Sequence, residues 1–374
     1  MTSCFTPDRH QSNTPEPGGT QAVFTTADFD AASRFFDAHA EIAPTPLVSL
    51  PALARTLGLG TVLAKDESCR GELKAFKLLG ARYAIDQLLA DGTIAPGQTL
   101  VCASEGNHGR GVAHTARLVG CRSRVYLAAT VAQARADAIS SEGATVVRVP
   151  GTYDDAVRQA TADAAARGWT VISDTSWPGY ERIPQLIMVG YTRLMEEIAR
   201  SLPASVTPDV IFVPGGVGGL LAAVAAWSAW RWAATRVVAV EPASAACLQA
   251  SARAGRPTTV PGPFETIMGP LRCGEVSTLA FDAAYPAVAG YIAIDDVWTI
   301  EAMRRLARPS DGDPRITAGA SGAAALGGLL AALEDPAAAD FREALALGSG
   351  STVLLIVSEG ITDPPLWREV VGEA

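Results

Sequence analysis

Lys74 and Lys77 stand close together in ELKAFKLLGARYAI (72–85), and the second directly follows an apolar Ala75-Phe76 pair. A lysine entering the interior at such a point either snorkels its amine back to water or uses that amine on a ligand. Lys77 heads LLGARYAI, which reads as a helix apolar on most of its sides, so its amine is placed to react. Lys74 reads as a solvated charge.

Two further stretches carry candidate groups. In FVPGGVGGL (212–220) a strand runs into Gly215, Gly216, Val217, Gly218 and Gly219 and then into a helix. Glycines let backbone N–H groups wrap an anion, and the helix N-terminus adds partial positive charge. The pattern is a phosphate cradle without the Lys-Ser/Thr of a P-loop, and tight packing produces the same pattern as readily. In SEGNHGRG (104–111) a second strand-to-helix turn carries Glu105, Asn107 and His108. Asn107 either caps the helix or offers its amide to a ligand oxygen, with Glu105 facing the same cavity. His108 and the mid-helix His114 read as packed, hydrogen-bonded rings. An amine at the start of a buried helix, in a chain with a phosphate cradle, points to a Schiff base with pyridoxal phosphate.

These groups need a scaffold, and the chain supplies alternating strands and helices. Short β-branched runs (TLVCAS, RVYLAA, TVVRVP, DVIFVP, RVVAVEP, TVLLIVSEG) lack alternation, as parallel strands covered on both faces do. Helical stretches between them end on Gly120, Gly143 and Gly168, and a long helix is expected over 180–200. The expectation is an α/β fold with open, mainly parallel sheets flanked by helices. Ligands in such sheets sit beyond the carboxyl ends of the strands, where ASEGNHG, PGGVGG and SEG fall. Residues 255–295, rich in proline and glycine, yield no clear assignment.

The bulk numbers exclude other classes. The 374 residues are 48% hydrophobic and 18% charged, a globular composition with material for two domains. Net charge is −9 and no dense Lys/Arg block occurs, which argues against nucleic acid as a partner. Cys4, Cys69, Cys102, Cys121, Cys247 and Cys273 form no CxxC pair, so neither a metal site nor a secreted disulfide scaffold is indicated. The polar N-terminus has no signal-peptide core, and the most apolar run, 217–232, is shorter than a membrane span. A cytoplasmic enzyme with no membrane partner is expected.

From about Thr45 to its end the chain resembles the fold type II family of pyridoxal-phosphate enzymes, and within it the diaminopropionate ammonia-lyases. KDES with AFKLLGARYAI looks like the cofactor-lysine segment and EGNHGRG like the family's DGNHGRG loop. SDTSWPGYERIP (173–184), TIMGPLRCGE (266–275), GDPRITAGASGA (312–323) and SEGITD (358–363) resemble further blocks. The resemblance implies that Lys77 holds the cofactor aldehyde, Asn107 bonds its phenolic oxygen, and Gly215, Gly216, Val217, Gly218 and Gly219 cradle its phosphate. It places Ser358 near the pyridine nitrogen, where a hydroxyl leaves the ring a weaker electron sink suited to elimination. Asp174 matches an active-site aspartate, taken here as the acid that assists the leaving group. Cys247 and Cys273 match cysteines that can pair in relatives; they are expected reduced in a cytosol.

Departures from the family concern the substrate side. Glu105 stands where relatives carry the aspartate base for the D-substrate, Ala320 replaces a carboxylate, and Arg272 and Glu265 add charges where relatives have small residues. The implied organisation is a loose tail over 1–20, a large cofactor-binding domain from 21–78 and 195–374, and a small domain from 79–194, assembled as a homodimer. The implied reaction is α,β-elimination of a β-substituted amino acid, such as 2,3-diaminopropionate, to a keto acid and ammonia. The alternatives are β-replacement through aminoacrylate, a dinucleotide-binding oxidoreductase using GGVGG with Glu241 on the ribose, and a binding protein that keeps the fold without catalysis.

Overall fold

The structure is a computed structural model and describes residues 2–7, 23–104, 106–309 and 312–372. The chain divides into two units, one formed by Met1–Phe76 with Thr192–Ala374 and the other by Lys77–Tyr191. Lys77, expected inside the larger domain, therefore opens the smaller unit. The cause is local: it begins the helix Lys77–Ala90, which lies along the helix Asn107–Leu118, and a Cβ at Gly111 would come 3.2 Å from Lys77 O.

The larger unit holds a seven-stranded sheet in the order Ser3–Phe5, Val288–Ile294, Arg236–Pro242, Val210–Pro214, Thr352–Val357, Thr61–Asp66, Leu47–Ser49. The five inner strands are parallel and the two edge strands antiparallel. Val210–Pro214 and Val288–Ile294 are buried at every position, the mark of strands covered on both faces. The helix Ala320–Glu334 (ASGAAALGGLLAALE) is apolar all round and is the centre of the core. A Cβ on its Gly328 would come 2.6 Å from Val240 Cγ2, so glycine there sets how closely helix and sheet approach.

Two expectations are corrected here. The tail is not loose throughout: Ser3–Phe5 pairs antiparallel with Val288–Ile294, Cys4 opposite Ile292, while residues 8–20 lie outside those described. The unassigned stretch 255–295 contains the buried strand Val288–Ile294. Its glycine, Gly290, is packed by the Phe341 ring, and a run of small and apolar residues without alternation gives no periodic signal.

The smaller unit holds a fully parallel four-stranded sheet, ordered Thr145–Val149, Arg122–Ala128, Thr99–Ala103, Thr170–Val171. The helix Tyr153–Arg167 begins with a reciprocal Thr152–Asp155 capping box and ends on Gly168 at φ 65°, the left-handed cap its sequence predicts. The long helix expected over 180–200 is Arg182–Ser201.

Candidate active site

The residues just ahead of Lys77 are fixed by the backbone. Phe76 N–H donates to Ser358 O at 3.2 Å, Gly360 N–H donates to Lys74 O at 2.8 Å, and Ala75 bridges Glu359. The segment is thus tied to the loop that follows the central strand Thr352–Val357. Lys74 adopts φ 54° and is exposed, in keeping with its reading as a solvated charge.

Within the smaller unit, Lys77 Nζ lies 2.5 Å from Asp174 Oδ2, with about a fifth of each side chain exposed. Asp174 follows the strand Thr170–Val171, and its loop is held by Tyr180. The Tyr180 hydroxyl accepts Ser173 N–H at 2.9 Å, donates to Val171 O at 2.8 Å, and its ring stacks on Trp177 at 4.2 Å. His108 Nε2 is 2.8 Å from Ile172 O, which assigns the proton to Nε2, and its Nδ1 is 3.7 Å from Asp174 Oδ2.

Burial alone would pull the Lys77 amine down, but the Asp174 carboxylate outweighs it and leaves the amine above the ordinary lysine value. Burial would likewise push Asp174 up; the Lys77 ammonium holds it well below the usual carboxylate range instead. Burial holds His108 low, as a neutral ring. Beside the free Lys77 ammonium, Asp174 is therefore held as a carboxylate.

Asn107 is the first residue of its helix and not its cap. The hydroxyl of Ser104 performs the capping, accepting Gly109 N–H at 2.9 Å and Gly106 N–H at 3.3 Å. Asn107 is 8% exposed. Glu105, between them, lies outside the described residues. His114 packs against Glu142, Nδ1 to Oε2 at 3.0 Å, as expected of a structural ring.

In the larger unit the glycine loop leaves the strand Val210–Pro214 and enters the helix Gly219–Arg231, with Gly218 at the N-cap position. Gly218 has φ 101°, which only glycine adopts freely. Gly215 N–H donates to Val240 O at 2.7 Å, so this member of the expected cradle has its donor engaged inside the protein. Among the described residues no acceptor takes the N–H groups of Gly216, Val217 or Gly218, and no side chain caps the helix. A Cβ on Gly215 would come 2.6 Å from Leu248, and one on Gly216 3.3 Å from Cys273 Sγ. Unengaged donors at an uncapped helix N-terminus, in a loop with no room for side chains, fit the phosphate of pyridoxal phosphate.

Ser358 is 3% exposed and its Oγ donates to Ser321 O at 3.4 Å. The close approach behind this bond needs Gly322, whose Cβ would collide with Glu359 O. Ala320 is the buried first residue of the same helix. Of the charges that depart from the family, Glu265 is exposed, and Arg272 Nε is bonded to Thr266 O at 2.9 Å within its own loop. Cys247 and Cys273 are thiols, not a disulfide.

Glu241 cannot reach a ribose. It is 0% exposed, and its carboxyl accepts Leu248 N–H at 2.7 Å and Gln249 N–H at 2.8 Å, capping the helix Cys247–Ala254. The dinucleotide reading fails on that geometry.

Lys65, Lys74 and Lys77 are the only lysines of the chain. Lys65 is 0% exposed and locked to Glu197 at 2.6 Å, and Lys74 faces solvent, whereas Lys77 is partly buried beside Asp174.

The profile of the family described as pyridoxal-phosphate dependent enzyme matches residues 39–359. The diaminopropionate ammonia-lyase of Escherichia coli K12 is 36% identical over 374 residues, 95% of this chain and 94% of that protein. The biosynthetic L-threonine dehydratase of Mycobacterium leprae is 30% identical over 88% of this chain and 71% of its own length. A crystal structure of the E. coli diaminopropionate ammonia-lyase with an aminoacrylate–PLP azomethine reaction intermediate superposes with a TM-score of 0.88 at 35% identity, covering 99% of this chain and 97% of that one. The chain belongs to the pyridoxal-phosphate dependent enzymes, in their fold type II branch.

Proposed function

We propose that this enzyme is an ammonia-lyase that acts on 2,3-diaminopropionate or a closely similar β-substituted α-amino acid and releases ammonia and a keto acid. The observation that carries this reading is the contact of Asp174 Oδ2 with Lys77 Nζ at 2.5 Å, an arrangement that favours the carboxylate form of Asp174. A β-ammonium departs as neutral ammonia without a further proton, whereas a β-hydroxyl departs only when an acid protonates it. A carboxylate held ionised attracts the first group and cannot serve the second. The likeness to the diaminopropionate ammonia-lyases supports the same substrate class.

The cofactor, when bound, supplies the electron sink that accepts the charge left at the α-carbon. Lys77 would hold it, and its Nζ, once free, would take the Cα proton of one enantiomer. Asp174 steadies the resulting ammonium. Glu105 takes the Cα proton of the opposite enantiomer. Asn107 would donate its amide to the phenolic oxygen, and the N–H groups of Gly216, Val217, Gly218 and Gly219 would bind the phosphate, with Gly215 shaping the loop. The Ser358 hydroxyl would serve the pyridine nitrogen. By the family resemblance the enzyme is a cytoplasmic homodimer, which light scattering on the purified protein and cell fractionation test.

The deciding assay follows pyruvate and ammonia from D- and L-diaminopropionate, serine and threonine. The expected result is two ammonia released for each pyruvate from diaminopropionate, with serine turned over far more slowly. Equal or faster turnover of serine overturns the reading, and pyruvate that gives way to a substituted amino acid when a thiol or amine nucleophile is added marks β-replacement. Glu105→Gln is expected to remove activity on one enantiomer only; loss or retention on both removes Glu105 from the proton chemistry.

A further inference from the structure

Within the smaller unit, the helices Lys77–Ala90 and Arg182–Ser201 touch backbone to backbone. A Cβ on Gly190 would come 2.7 Å from Leu79 O and 2.9 Å from Gly80 Cα, and a Cβ on Gly80 would collide with Tyr191 Cε1. Small residues at a helix crossing let the axes approach until side chains from the flanking positions fill the remaining space. Here that side chain is Tyr191, 1% exposed, whose ring occupies the face left open at Gly80, one helical turn beyond Lys77. Lys77 Nζ lies 5.4 Å from the centroid of the ring. A cation within about 6 Å of an aromatic face is attracted by the ring quadrupole, more strongly where water is excluded.

We propose that Tyr191 is a positioning residue for Lys77: its ring, seated by the Gly80–Gly190 crossing, holds the amine turned toward Asp174. The arrangement gives Lys77 a partner on two sides, a carboxylate from the loop after Thr170–Val171 and an aromatic face from the long helix. The charged and titratable groups around the amine are Asp174 and Tyr191, with His108 behind Asp174. The consequence for catalysis rests on the reading of Lys77 as the reacting lysine, whereas the contact itself is testable without cofactor or turnover.

The test is reductive methylation of the cofactor-free protein with formaldehyde and cyanoborohydride, from neutral to alkaline pH, read by peptide mass spectrometry. With three lysines in the chain, exposed Lys74 is the internal reference in every digest. Tyr191→Leu is expected to raise Lys77 methylation relative to Lys74 by about fivefold, the effect of losing one partly desolvated cation–π contact, and to move its pH profile downward. Tyr191→Phe keeps the ring face and removes the hydroxyl, which also acts on the amine, and is expected to restore most of the wild-type ratio and profile. Where Leu does not fold, as judged by a cooperative melt, Tyr191→Met replaces the ring with an adaptable chain and is expected to behave as Leu. In the holoenzyme, Leu is expected to lower kcat more than it changes KM, and Phe to rescue kcat. An unchanged Lys77 ratio in the Leu or Met variant overturns the proposal, as does a Phe variant that behaves like Leu. Failure of the lyase assay leaves the methylation result standing, so the two readings fail separately.

Discussion

Asp174 Oδ2 sits 2.5 Å from Lys77 Nζ, so the amine is held as an ammonium by its own counter-ion. The carboxylate is depressed and the amine raised, and both shifts favour the charged pair across neutral pH. Asp174→Asn removes that counter-ion. Turnover is expected to fall by about a hundredfold or more, the scale of a misplaced proton carrier, while the absorbance of bound cofactor remains. A variant with wild-type kcat would detach Asp174 from the chemistry.

Lys77→Ala is expected to lose the absorbance band near the visible–ultraviolet border together with all turnover, and Lys74→Ala to keep both. Borohydride reduction of the wild-type holoenzyme followed by mass spectrometry places the cofactor directly. A label on the Lys74 or Lys65 peptide would refute the assignment.

Gly216→Val puts a branched side chain where Cys273 Sγ already stands 3.3 Å from a bare Cβ, beside the unengaged N–H groups. Gly218→Ala strains a backbone at φ 101°. Each is expected to weaken cofactor affinity by about tenfold or more, the equivalent of the strain in such positions, with the spectrum recovering at high cofactor concentration. Titration of the apo-protein by absorbance measures it, and unchanged affinity would move the phosphate elsewhere.

Burial raises the Glu241 carboxyl from 4.5 to about 8 against the pull of its two backbone N–H donors. A raised carboxyl pKa means that the folded state binds the proton more tightly than the unfolded chain. Its contribution is fully present below the unfolded value and is lost as pH rises toward the folded one. Stability is therefore expected to decline between those two pH values, by on the order of a few kcal/mol from this group, and Glu241→Gln to flatten the decline. Urea denaturation midpoints across that range give the slope; an identical slope in the variant would assign it to another group.

Glu197 is the hub of a buried network: its carboxylate takes Lys65 Nζ at 2.6 Å, Arg70 Nη2 at 2.7 Å and Arg193 Nε at 3.1 Å. Removing one partner from such a cluster strands charge in the interior, so Glu197→Ala is expected to cost about 3–5 kcal/mol. Denaturant unfolding tests this, and a loss below about 1 kcal/mol would show that water or a shifted side chain replaces the carboxylate.

Much of the frame was legible along the chain, because strands covered on both faces and glycine-closed helices leave local patterns. Val210–Pro214, the glycines after it, and the helix from Gly219 follow one another in the order the pattern predicts. Lys77 stands out as the candidate from its apolar surroundings and from the family blocks. What was not legible shares a feature: it depends on partners remote in the chain. That Gly215 N–H is taken by Val240, that Ser104 and not Asn107 caps its helix, and that Glu241 serves Leu248 and Gln249 are matters of which donor meets which acceptor.

Residue type and local order alone settled that a lysine, a glycine-rich turn and a hydroxyl at a strand end would be present, and that strands and helices would alternate to carry them. Packing in three dimensions settled their states. Asp174 is held as a carboxylate because the Lys77 ammonium faces it in a site where burial would otherwise neutralise it. Tyr191 reaches Lys77 because Gly80 and Gly190 let two helices approach. A carboxyl's charge and a ring's neighbour follow from distances and from excluded water, and neither quantity is written into the order of residues.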